Sequence, residues 1–244
     1  MKYYLLFFSF TILSFTSFQA QTLSYDNNND GCVNLDDLLN VLSEFGLCSA
    51  FECGVQVPHD GYYYSTVQIG GQCWFSENCR YLPEVSPSSQ GSETDPYYYV
   101  YDYQGTDVEA AKGTLNYLTY GVLYNWPAVM TEDICPSGWH IPSDEEFTEL
   151  TDFLGGENVA GGKMKSHVLW DNYGNGSNSS GWTGLPGGDR YSGGFYSNGY
   201  NGYWWSASES GSTSWGRTLY HSFDSVDRGS NDRGNGFSAR CVRD

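Results

Sequence analysis

The sequence predicts an α+β chain in two parts: a small loop-and-helix module, then a longer domain of short strands with few helices. Three observations carry this. An Asp/Asn-rich stretch near the N-terminus runs directly into a short amphipathic segment. After about residue 57 the texture becomes short alternating runs of aromatic and small residues cut by glycine, with 30 glycines and 17% aromatics in the chain. Within that region only residues 143–155 combine a capped start, a helical apolar period and a glycine stop.

Taken in order, residues 1–20 join Lys2, an apolar run and Ala20 before a polar Gln21, which reads as a secretory signal peptide. Phe18 fits a small-x-small cleavage pattern poorly, which leaves an uncleaved anchor as the alternative. The run is short for a membrane span and is broken by serine and threonine, which favours cleavage.

Residues 26–37, D-N-N-N-D-G-C-V-N-L-D-D, match a calcium loop. Calcium takes about six to eight oxygens, which an EF-hand loop supplies at fixed positions. Those positions hold Asp26, Asn28, Asp30, the Cys32 carbonyl, Asn34 and Asp37, with Gly31 at the sharp turn. Leu35, Leu38, Leu39, Leu42 and Phe45 then recur at helical spacing up to Gly46. The module at 21–48 therefore looks like one dockerin-type half with calcium as its cofactor. A dockerin has two halves, so the loop is expected to order its module rather than to dock a cohesin.

Residues 49–56 read as a linker to a domain at 57–244. A Gly70-Gly71 turn between T-V-Q-I and Q-C-W-F predicts a hairpin. In the helix, Ser143 and Glu146 form a capping box, with Phe147, Leu150, Phe153 and Leu154 directed to the core. Residues 172–181 form a polar loop. In the C-terminal strand Phe237, Ala239 and Cys241 alternate on one inward face.

Seven cysteines in an exported chain point to disulfides. Separation suggests Cys32 with Cys48 and Cys135 with Cys241. Cys53, Cys73 and Cys79 share one bond, Cys73 with Cys79 or Cys53 with Cys73 both being open. Pairing Cys73 with Cys79 gives the framework Cys32, Cys48, Cys73, Cys79, Cys135 and Cys241.

Seven ordered blocks then resemble the Fibrobacter succinogenes major paralogous domain: I-G-G-Q-C-W-F-S-E-N (69–78), Y-G-V-L-Y-N-W-P-A-V (120–129), C-P-S-G-W-H-I-P-S-D-E-E-F (135–147), A-G-G-K-M-K-S (160–166), L-P-G-G-D-R (185–190), Y-W-W-S-A-S-E (203–209) and G-F-S-A-R-C-V-R-D (236–244). The resemblance implies an irregular C-type lectin-like, formylglycine-generating-enzyme-like fold in an exported bacterial protein. Enzymes of that superfamily use a cysteine pair near the C-terminus, and here Cys241 is the only cysteine in the last hundred residues. The E-P-N, Q-P-D and W-N-D sugar-binding signatures of C-type lectins are also missing, so neither mechanism carries over.

Eleven basic against 29 acidic residues give a formal charge of −18, which disfavours nucleic acid as a partner. No G-x-S-x-G, H-E-x-x-H or G-K-[ST] motif occurs. Glu145 and Glu146 suit a helix start and His140 a structural position. Trp74, Trp126, Trp139, Trp204 and Trp205 sit inside the blocks and are expected in the core, whereas Tyr196, Tyr200 and Tyr203 are the better surface candidates for stacking on a ligand. The expectation is a secreted or cell-surface, non-catalytic calcium-binding protein whose lectin-like domain binds extracellular polysaccharide or a surface protein. No membrane span is expected after signal cleavage. A purely structural module and a divergent enzyme of the formylglycine-generating type are the alternatives.

Overall fold

A computed structural model of the protein describes residues 51–244. The expected signal peptide, the expected calcium ligands Asp26, Asn28, Asp30, Cys32, Asn34 and Asp37, the helix expected after them and the expected Cys32–Cys48 pairing lie outside the described residues. Cys53–Asp244 forms one compact unit, with many antiparallel strands and few helices. Residues 53–56, expected as linker, are held in this unit. Cys53 is disulfide-bonded to Cys73, and Thr66 Oγ1 accepts from Gly54 N and donates to Val55 O.

The expected hairpin is β3 (Thr66–Ile69) and β4 (Gln72–Phe75), preceded by the pair β1 (Val57–His59) and β2 (Tyr62–Tyr64). A second small pair joins β5 (Tyr98–Tyr99) to β6 (Leu123–Tyr124). Between them lie α1 (Val108–Lys112) and α2 (Leu115–Tyr120); α3 (Trp126–Val129) follows β6. With β7 (Trp139–His140) and β13 (Val242–Arg243), the hairpin makes a four-stranded sheet in the order β3-β4-β13-β7. The larger sheet runs β12-β11-β10-β8-β9, built from β8 (Gly187–Tyr191), β9 (Gly194–Asn198), β10 (Asn201–Ser210), β11 (Thr213–Tyr220) and β12 (Val226–Asn231). Strand β9 lies at the edge of that order.

The expected helix is α4 (Asp144–Phe153), and its capping box is present: Glu146 N donates to Ser143 Oγ and Ser143 N donates to Glu146 Oε2. Phe147, Leu150 and Leu154 are buried with Trp74, Trp182 and Trp204. Phe153, expected inward, is exposed instead and lies over Gly70, where the turn leaves room for a ring. Helix α5 (Glu157–Met164) escaped the pattern because it contains Gly161 and Gly162 and has no side-chain cap. Tertiary contact explains it: a Cβ on Gly161 would stand 2.4 Å from Ser225 O.

The five tryptophans expected in the core are all buried. Trp74, Trp182 and Trp204 form a chain of edge-to-face contacts, 6.4 and 4.8 Å between centroids. Truncating one such ring typically destabilises by about 3–5 kcal/mol.

The C-terminal segment departs from its expected one-sided burial. Residues 237–242 are buried on both faces because the segment threads between the sheets. Phe237 exchanges two backbone hydrogen bonds with Tyr124, Ser238 is bonded to Tyr203 and Trp205, Ala239 O accepts from Cys79 N, and Cys241 O accepts from Phe75 N.

Among the described residues Cys135–Cys241 forms as expected, and Cys53 bonds Cys73, one of the two pairings left open above. Cys79, taken above as a partner of Cys73, is a free buried thiol. Its backbone bond to Ala239 O places its sulfur 3.5 Å from Cys241 Sγ, which Cys135 already occupies.

Candidate functional site

The sequence block ending in Gly187-Gly188-Asp189-Arg190 forms β8, whose residues 187–190 are buried. Arg190 spends all its nitrogens on main-chain carbonyls: Nε donates to Ser88 O (2.8 Å), Nη1 to Gly234 O (2.8 Å) and Nη2 to Gln90 O (2.9 Å). Its guanidinium lies 5.2 Å from the centroid of the Tyr99 ring, whose hydroxyl also donates to Gln90 O. One side chain thus ties loop 88–91 to the turn before the C-terminal segment.

A second anchor is Asn125, fully buried at the cap of α3. Its Oδ1 accepts from Tyr97 N and Ala128 N, and its Nδ2 donates to Ser92 O (2.7 Å) and Asp95 O (2.8 Å). A buried amide that satisfies four partners is a rigid strut. Between these anchors opens a pocket of about 420 Å³, lined among others by Ser89, Ser92, Glu93, Tyr191, Asp232 and Asn235. Arg190 forms part of the lining with three of its five N–H donors already on main-chain carbonyls, so beside that cation the pocket offers hydroxyls, an amide, two carboxylates and one half-exposed phenol ring.

The three tyrosines proposed from sequence fall in three places. Tyr196 lies on β9, half exposed, on the hairpin whose turn borders the pocket. Tyr200 follows β9, exposed, with its ring edge-on to His221 at 5.1 Å. Tyr203 is turned inward on β10, stacked on Phe237 at 4.9 Å, with its hydroxyl accepting from Asn201 Nδ2.

Near Tyr200 three loops are stitched together. Asp171 N donates to Gly199 O (2.8 Å) and His221 N to Tyr200 O (2.7 Å). The buried Lys165 ammonium donates to Tyr220 O and Phe223 O and faces Asp224 at 3.6 Å. Burial pulls its pKa below the ordinary value, and Asp224 draws it partly back. Leu169, Asn172 and Tyr173 all have positive φ, a strained state for such side chains, and Tyr173 and Phe223 stand exposed.

Elsewhere, Arg240 is fully buried, with its guanidinium 3.8 Å from the Trp182 ring. It donates to Trp182 O and to Asn78 Oδ1, and burial pulls its pKa down to about 9. Burial likewise pushes the neighbouring Cys79 thiol up to about 12, far from the reactive range. His140 bridges Asp244 (2.5 Å) and Glu146 (2.8 Å), the structural place expected of it. Burial lowers its pKa, and the two carboxylates more than reverse that.

The profile of the Fibrobacter succinogenes major domain matches residues 67–243. The chain belongs to this family. Within this Fibrobacter succinogenes major domain, Asn125, Arg190 and the pocket they brace all fall in the matched span, whereas the candidate calcium loop precedes it. None of the curated proteins and none of the solved structures matches the chain. Among the described residues there is no cluster of three or more His, Cys, Asp or Glu that could hold a metal ion, and no helix long and apolar enough to cross a membrane.

The sequence reading missed the site's two anchors. Both stand in quoted blocks, Asn125 before Trp126-Pro127 and Arg190 closing L-P-G-G-D-R. A polar residue in an otherwise apolar or glycine block was the available signal, since such a residue is buried only with its partners supplied.

Proposed function

We propose that the domain at 57–244 is a non-catalytic, lectin-like carbohydrate-binding domain of a secreted or cell-surface protein, and that the pocket beside Arg190 is where a sugar sits. The observation that carries this is the pocket's composition. Serine hydroxyls, Asn235, Glu93 and Asp232 supply both donors and acceptors, and Tyr191 supplies a flat apolar face at the rim. Sugars present hydroxyls around an apolar ring face, so they need that mixture. Glu93 and Asp232 set two carboxylates against the single Arg190 guanidinium, so the lining carries a net negative charge that disfavours a phosphate or carboxylate ligand.

Walls held by Asn125 and Arg190 support binding without large rearrangement, since both side chains bond the main chain of the loops that line the pocket. The loop at 26–37 is proposed to bind calcium through Asp26, Asn28, Asp30, the Cys32 carbonyl, Asn34 and Asp37 and to order its own module. Calorimetry with and without chelator tests that separately.

A glycan array probed with the full chain, followed by titration calorimetry on any hit, tests the carbohydrate reading. Binding is expected to fall at least about tenfold in Glu93→Gln and in Tyr191→Ala while the melting temperature holds. An array with no hit, or a hit indifferent to both substitutions, overturns it.

A further inference from the structure

We infer that the ligand is an extended polysaccharide chain lying along the outer edge of the β8–β9 hairpin, from the pocket at its turn to the aromatic shelf at its far end. The inference rests on the carbohydrate reading above and adds the shape of the ligand.

The hairpin register places the rings. Tyr191 pairs with Gly194, and directly paired residues share a face of the sheet; Tyr196, two residues on from Gly194, shares it as well. The Tyr196 ring leans back over Gly194, where a Cβ would stand 2.7 Å from its hydroxyl. Tyr191 and Tyr196 are 55% and 50% exposed, and Tyr200 beyond the strand is 42% exposed.

Both ends of this row are built. At the turn, Ser88 Oγ donates to Gly193 O, joining the hairpin to the pocket wall. At the far end, Gly199 accepts from Asp171 in the loop that carries Tyr173, and Tyr200 accepts from His221 in the turn that carries Phe223. The buried Lys165 ammonium, donating to Tyr220 O and Phe223 O, holds that shelf in place, and Leu169, Asn172 and Tyr173 are kept at positive φ. Such local costs persist only where the surroundings enforce them, and they concentrate at binding sites. The five residues of β9 span about 15 Å, longer than one sugar ring reaches.

A sheet edge could instead take a peptide as an added strand. Here Ser197 sits at φ +64 opposite Gly188 at φ +67, where a Cβ would stand 2.3 Å from Tyr196 O. That kink breaks the run of extended residues that an added strand must pair with, and it leaves the tyrosine faces available.

The test is a chain-length series of the oligosaccharide found on the array, one to about six rings, titrated into the full chain. Affinity is expected to rise at least about tenfold over the first few rings and then level off. Tyr196→Ala and Tyr173→Ala, both exposed positions, are each expected to cut that gain at least about threefold with no change in melting temperature. Binding that does not strengthen with length, or a gain untouched in both variants, overturns the extended ligand while leaving a single-sugar pocket standing. No binding at any length removes the carbohydrate reading itself.

Discussion

Replacing Asp189 with asparagine should stabilise the protein near neutral pH and do nothing in acid. Asp189 is 8% exposed on β8, and its Oδ1 has no hydrogen-bond partner. Burial pushes its pKa from 3.8 to about 6, with the Ser197 hydroxyl opposing only part of the rise. The folded chain therefore holds the proton more tightly than the unfolded chain does. Stability falls as pH rises between the two values: the cost is absent below 3.8 and complete above about 6. At about 1.4 kcal/mol per pH unit the full cost is about 3 kcal/mol, and about 2 kcal/mol once residual solvent screening is allowed for. For a domain of this size about 2 kcal/mol corresponds to roughly 4–8 °C. Thermal melts of both proteins from about pH 3.5 to 8 read it directly, with the Asp189→Asn advantage growing through about pH 4–6 and then flat. A variant no more stable than wild type near pH 7.5, or an advantage of equal size below about pH 4, would refute the reasoning.

Asp144 is the opposite case. Burial works to raise its pKa, but Arg228 and Arg217 hold it below the ordinary carboxylate value, through contacts of 2.7 Å from each. Its contribution is present above the unfolded pKa and is lost as pH falls through the lower folded one. Asp144→Ala leaves the Arg217 guanidinium, 3% exposed, without its carboxylate; urea denaturation is expected to show a loss of about 3–5 kcal/mol, and a loss under 1 kcal/mol contradicts the pairing. Cys79, fully buried and with its pKa raised to about 12, should resist iodoacetamide in the folded protein and react once unfolded. Peptide mapping that finds Cys79 labelled in the folded state at the unfolded rate rejects the buried free thiol.

Much of the local structure was legible in advance. The Gly70-Gly71 hairpin and the Ser143/Glu146 capping box involve residues a few positions apart, so a single sequence displays both partners. The core tryptophans could be named because large apolar rings have few places to go. The surface tyrosines were harder. Tyr203 alternates with its neighbours like Tyr196, yet Phe237, more than thirty residues later, covers it. Phe153 went the other way, exposed because it ends its helix above a glycine turn.

By itself the sequence determined the family, the strand-rich α+β character and the helix that starts at Asp144, because each rests on a block, a period or a cap that adjacent residues define. Tertiary structure alone decided that Cys53 rather than Cys79 bonds Cys73, that residues 237–242 are enclosed on both faces, and that Arg190 joins Ser88, Gln90 and Gly234 around a pocket. Those outcomes depend on hydrogen-bonding groups and sulfurs that meet only after the chain has folded, across separations of 44 to 102 residues at Arg190. No local periodicity encodes such a meeting.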